Sequence, residues 1–302
     1  MRKRILIIFL TIGLSLPTVA QMHSALEISV GGGWSSLGYT MKPDQADVNG
    51  ANKGSWGAQV HVGYALFFIP HVGLGVGADF TRYGSTASLS GTARWNGVID
   101  TNGEKYNHLT LLHSFKDRQD VYYVEIPLTF YFVYPITDQL SFNLEAGAKY
   151  GIPVIGNASF RADIEHQGDY GIWGLNLHDV PGHGFYREKN FHGSYPVSFK
   201  NQISAFLKLG VACEISRNIQ LFANIYGDYG FVNALPSGQA DLGFRNDRAG
   251  METTHSFMPA YHGIITTNNI SAKSHPLQVG LEIGLRFVFP HKKSYPCICY
   301  RF

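Results

Sequence analysis

The sequence predicts an all-β chain: eight antiparallel strands closed into a transmembrane up-and-down barrel, with short turns at one end and long connections at the other. Three observations carry this. Glycine and aromatic residues abound while charged residues make up only 15%, a composition that suits pleated strands. Long segments alternate apolar and polar residues with a period of two, as side chains do when successive ones point to opposite faces of a strand. Beyond residue 20 no apolar run approaches the ~20 residues that a helical span needs.

The elements follow in order. Arg2, Lys3 and Arg4 precede an apolar run from Ile5 to Leu16, then Pro17 and Thr18-Val19-Ala20. That is the build of a secretory signal peptide, with cleavage expected after Ala20. Residues 1–20 are therefore set apart, 21–289 are assigned to the barrel, and 290–302 to a short periplasmic tail. Cleavage removes three of the 24 Lys+Arg, leaving 21 against 22 Asp+Glu. A near-neutral chain has no basic excess for nucleic acid. Three cysteines do not make a disulfide framework. Cys297 and Cys299 lack further ligands at zinc spacing, so neither a metal nor a cofactor is expected.

The first strand alternates Leu26, Ile28 and Val30 with Glu27 and Ser29. The second runs from Trp56 to Phe68, the third from Val72 to Phe80, and the fourth from Tyr122 to Tyr134 across Pro127. The fifth covers Leu140–Ile152, the sixth Ile203–Ile215, the seventh Ile219–Phe231 and the eighth Leu277–Phe289. Several run longer than strands of soluble sandwiches, typically about 5–6 residues, and match the ~9–11 residues of a tilted membrane strand. Tight turns are expected at Ile69-Pro70-His71, Pro135–Asp138 and Ser216-Arg217-Asn218, with long loops on the opposite side. That asymmetry belongs to outer-membrane barrels.

Alternation sorts the charges. Glu27, Asp79, Glu125, Glu145, Lys149, Lys208, Glu214, Asp228, Glu282 and Arg286 fall on the face opposite Leu281 and its apolar partners, and so are expected in the lumen. Enclosed charges should pair, Arg286 with Glu282, Glu145 or Glu125. Trp34, Trp56, Tyr122, Tyr134, Tyr150, Tyr229, Phe231, Phe287 and Phe289 lie where strands should leave the bilayer, as do Phe67 and Tyr131. The expected role of these rings is interfacial anchoring. The connection over 153–198 holds His166, His178, His183 and His192 among aromatics, read as exposed loop histidines and not as a metal site. Catalysis would need a nucleophile, a base and an acid brought together. Ser256, His255 and Asp241 supply the residue types, but no spacing selects them, and no catalytic residue is assigned.

The segment "YVEIPLTFYF" (123–132), with "VGLGVGADF" (72–80) and the final "GLEIGLRFVF" (280–289), resembles the PorT-like outer-membrane barrels. The architecture is similar to the small OmpA- and OmpX-type barrels. The resemblance implies residence in the outer membrane of a Gram-negative bacterium, contact with its lipid and lipopolysaccharide, and insertion by the barrel-assembly machinery through the last strand. Phe289 is the expected assembly signal, with Phe302 as a competitor. Barrel motifs mark a fold and carry no activity. A non-catalytic surface scaffold with an unknown extracellular ligand or envelope partner is the leading expectation. A narrow channel for small solutes and a lipid A-modifying enzyme are the alternatives.

Overall fold

The computed structural model describes residues 23–41, 47–100, 102–235, 264 and 271–290. The leader with its expected cut after Ala20, the tail with Cys297, Cys299 and Phe302, and Asp241, His255 and Ser256 lie outside these described residues. Among the described residues twelve strands follow one another: β1 (His23–Ser36), β2 (Tyr39–Met41), β3 (Val48–Ile69), β4 (Val72–Ile99), β5 (Lys105–Pro135), β6 (Leu140–Tyr170), β7 (Leu175–Leu177), β8 (Arg187–Pro196), β9 (Gln202–Ser216), β10 (Ile219–Gly230), β11 (Ser271–Ser274) and β12 (Leu277–Pro290).

Eight of them close a ring. Each of β1, β3, β4, β5, β6, β9, β10 and β12 pairs antiparallel with the next, and β12 returns to β1. His23 opposite Pro290 and Ser36 opposite Leu277 mark the two ends of that closing seam. Closure leaves no free strand edge in the ring, the condition for burying backbone in hydrocarbon. Residues 70–71, 136–139 and 217–218 make the short turns. Pro127 is accommodated in β5 opposite Lys149 of β6. No pairing with β4 is formed at Ile126 or Pro127, as a residue without an N–H requires.

The long connections differ from the expectation of loops. β4 and β5 run on as one hairpin of 28 and 31 residues, and β6 matches them at 31 residues. The chain then returns through β7, a single 3-10 turn at Pro181–His183 and β8, which pairs with β6. Together with the start of β3, these extensions form an extracellular sheet that continues the barrel wall. The alternation changes phase where it leaves the membrane. A register shift at Tyr122/Tyr123 inserts Val154 into β6, and another lies between Gly54 and Ala58 of β3. Each such bulge turns the following residues to the opposite face.

The sheet's inner face is largely apolar, with His108, Thr110, Asp117, Gln119 and His166 buried among its apolar side chains. Phe115 and Phe160 stack at 5.8 Å, with Leu89, Leu112, Ile164 and Phe191 in the same buried cluster. That cluster reaches down to Tyr83 and Tyr123 and takes in Leu37, Val197 and Phe199, which close the outer mouth of the barrel. At the opposite end Ala25, Ala65, Phe67 and Tyr131 form a second buried cluster. Phe67 and Tyr131 thus point inward, contrary to a place in the aromatic girdle. Their odd positions in β3 and β5 put them on the lumen face.

Candidate functional site

Between the two apolar clusters the lumen is filled by charge. Near the turn end Arg286 bonds Glu27 directly across the β1–β12 pair. It also reaches Glu145 at 3.1 Å and Asn143 at 3.4 Å. Its guanidinium lies between the rings of Tyr131 (5.8 Å) and Phe222 (5.5 Å), a geometry that favours a planar cation. Tyr131 Oη donates to the second oxygen of Glu27 at 3.0 Å. Register decides these partners: Glu282, four residues along the same strand, belongs to the next layer.

There Lys208 Nζ lies 2.9 Å from Glu282 Oε1 and 3.9 Å from Glu145, and Ser29 donates to Glu282 as well. In the uppermost layer Lys149 Nζ is held by Asp228 at 2.9 Å, Asp79 at 3.0 Å and Glu125 at 3.4 Å. His61 bonds Asp79. Thr81, Tyr83 and Gln202 donate to Glu125. Nine of the ten charges read from alternation are therefore enclosed and grouped around three cations. Glu214 is the exception: it is exposed beside the 136–139 turn, where its backbone N–H donates to Gln139. Sequence reading missed His61, because a histidine between apolar neighbours carries no sign until its cross-strand partner is known.

The named aromatics take the outward face at both rims. Trp34 and Trp56 are cross-strand neighbours and exposed. Tyr122 stacks on Phe80 at 5.7 Å. Tyr229 packs edge-on against Phe231 at 5.3 Å, and Tyr150 is exposed. At the turn end Tyr134 and Phe289 are exposed and Phe287 is half-buried.

The histidine-rich return is ordered by strand pairing. His166 is buried on the sheet's inner face, 3.3 Å from His108 and 3.1 Å from Thr110. Exposure holds for His178 and His192 and fails for His166. Burial lowers the His166 pKa to about 4, so the ring is neutral near pH 7. On the outer face the Arg187 guanidinium grips Asp163 at 2.9 and 2.7 Å and holds its carboxyl below the usual range. No cluster of three or more metal-ligating side chains occurs among the described residues.

A closed ring of eight antiparallel strands, apolar outside and charge-filled within, defines a small transmembrane barrel of the outer-membrane class. The chain belongs to the outer membrane protein beta-barrel domain family, whose model matches residues 19–236. Among solved structures it is similar to Neisserial surface protein A, at 10% identity and a TM-score of 0.34, over 89% of this chain and 97% of that one. It is similar to OprG of Pseudomonas aeruginosa at 11% identity and a TM-score of 0.33, over 90% and 100% of the two chains. The attachment invasion locus protein Ail of Yersinia pestis gives 14% identity and a TM-score of 0.29, over 87% and 99%. Likeness of this depth carries no inference about function. No curated protein matches the chain in sequence.

Proposed function

We propose that the protein is a non-conducting, non-catalytic surface scaffold whose extracellular sheet is its working part. One observation carries this reading: β4, β5 and β6 do not end at the membrane but continue as a hydrogen-bonded sheet whose own core closes the barrel mouth. Loops mobile enough to gate a pore would not need that investment in packing. A rigid, elevated surface suits adhesion or docking of an envelope partner. The Tyr123–Phe132 strand adds PorT-like kinship to the proposal and no more.

A narrow channel is the second reading, favoured by one feature of the lumen. Gln59 and Asn224 are buried, and neither side-chain oxygen nor nitrogen has a protein partner. Groups of that kind are ordinarily satisfied by water. Conductance of the refolded chain in planar bilayers, with Arg286→Ala alongside, separates the two. A scaffold inserts and stays silent. Unitary steps in the wild type, altered by the substitution, would establish the channel. Lipid A from cells expressing the gene should keep its mass, whereas a shift would revive the enzymatic alternative.

A further inference from the structure

The outer face of the extracellular sheet carries two rows of side chains that run level across its strands. In the lower row Lys53 of β3, Thr86 of β4, Arg118 of β5, Ser159 of β6 and Ser194 of β8 are successive cross-strand partners. In the upper row Lys116 of β5, Arg161 of β6 and His192 of β8 are partners in the same way. All of the basic members are exposed. Among the described residues, no carboxylate pairs with Lys53, Lys116 or Arg161. Arg118 shares Asp120, at 3.4 Å, with Arg82. Hydroxyls and cations thus share a band with a clear excess of positive charge, in a chain with a formal net charge of only +2.

Height decides what this band meets. Tyr122, paired with Ile155 and stacked on Phe80, belongs to the aromatic rim of the lipid-facing surface. Arg118 and Lys116 lie four and six residues further along β5, about 14 and 20 Å at the usual strand rise. With a strand tilt near 40°, they stand roughly 10 and 15 Å above that rim. Phospholipid headgroups extend only about 5–8 Å beyond the hydrocarbon, too little to fill this distance. A saccharide headgroup reaches it. Between the rows and the rim a cleft of about 290 Å³ is lined by Arg118, Asp120, Asn157, Ser159, Ser194 and Tyr195. Such a set of hydroxyl, amide and charged groups matches a sugar bearing anionic groups.

We propose that this band is a binding surface for the phosphorylated saccharide headgroup of outer-leaflet lipopolysaccharide, with Lys116, Arg118 and Arg161 as its phosphate contacts. It fixes the extracellular sheet against the headgroup layer on the β3–β8 side of the barrel. The inference rests on the membrane barrel alone and stands whether or not the sheet also docks a protein.

The test uses the refolded chain in detergent micelles and rough-type lipopolysaccharide with a phosphorylated inner core, with binding read by native mass spectrometry and titration. Lys116→Gln, Arg118→Gln and Arg161→Gln combined should weaken binding about a hundredfold, each cation contributing a factor of about five. Dephosphorylated lipopolysaccharide should bind the wild type no better than the intact form binds the variant. Heat-modifiable gel mobility reports folding. Should the triple variant not fold, Arg161→Gln alone is expected to lose about fivefold. Unchanged affinity in a folded variant overturns the proposal, as does equal binding of the dephosphorylated form. Equally tight binding of the free, deacylated oligosaccharide would show a site for soluble anions and overturn the assignment to lipid.

Discussion

The same three strands, β4, β5 and β6, build two regions of opposite polarity. Within the membrane their outward residues are Phe80, Leu128 and Ile152, and their inward ones Asp79, Glu125 and Lys149. Past the rim the outward residues become Ser88, Lys116 and Arg161, and the inward ones Leu89, Phe115 and Phe160. Antiparallel pairing of β4, β5 and β6 continues across the bulge from one region to the other, with β6 exchanging β9 for β8, and the medium outside is what reverses the polarity. Hydrocarbon accepts only apolar side chains, so the polar ones must satisfy one another inside. Where water lies outside, burial of apolar surface drives packing on the inner face. The lower region is held by charge pairing and closure, the upper by a hydrophobic core.

The largest effect is expected where the lower region is most exacting. Arg286→Ala leaves Glu27 enclosed without its cation and Glu145 with only the more distant Lys208, and breaking a buried pair from one side costs about 3–5 kcal/mol. Urea unfolding of the refolded barrel, followed by gel mobility, should show that loss, and a change below about 1 kcal/mol would mean that the lumen is wetter than its packing suggests. One substitution made in both regions sharpens the contrast. Leu128→Arg puts a charge on the lipid face and should cost about 2–4 kcal/mol near the midplane. Ser159→Arg, also outward but above the rim, should stay within about 0.5 kcal/mol. Equal costs would put Ser159 in hydrocarbon and move the membrane boundary.

These two regions were not equally readable in the sequence. The barrel was, because Leu281, Ile283 and Leu285 alternate with Glu282 and Gly284 without interruption and the period of two survives to the turn. The sheet was not. Val154 bulges out of β6 and shifts the phase, so outward residues are even-numbered up to it and odd-numbered from Ile155 onward. A phase break of that kind looks like the end of a strand. Reversed polarity hides the continuation further, since Lys116 and Arg118 lie on the face that Ile126 and Leu128 occupy below. Charge partners were beyond reach for another reason: Arg286 meets Glu27 through a pairing of the first and last strands, a register no local pattern encodes. Glu214 shows the limit of alternation itself, which tells the face of a residue but not whether the wall still encloses it.

Acid should act on the upper region first. Burial lowers the His166 pKa from 6.5 to about 4 in the folded sheet, with His108 and Thr110 beside it. Between those values the unfolded segment binds a proton that the folded one refuses. The stabilisation is complete above about pH 6.5 and declines as pH falls toward 4, by at most about 3 kcal/mol. Amide exchange across residues 105–112 and 164–170 should accelerate over that window while the lumen strands keep their protection. In His166→Gln the acceleration should vanish. If the barrel and the sheet loosened together, the two regions would be one cooperative unit.

The smallest effect concerns the most conspicuous ion pair. Arg187 holds Asp163 through two bonds of 2.9 and 2.7 Å, better geometry than Lys208 makes with Glu145. Both side chains are nevertheless substantially exposed, at 41% and 26%, and water would solvate either partner alone. Arg187→Gln should therefore cost no more than about 1 kcal/mol, and that little should fade in high salt because exposed charges are screened. A loss comparable to Arg286→Ala would mean that the outer face is covered, by lipid headgroup or partner, so that its charges are as dry as those of the lumen. Measuring Arg187→Gln in detergent and again in lipopolysaccharide-containing bilayers separates these cases. An unchanged small cost in both places the pair above the headgroup layer. A larger cost only in the bilayer places it within that layer.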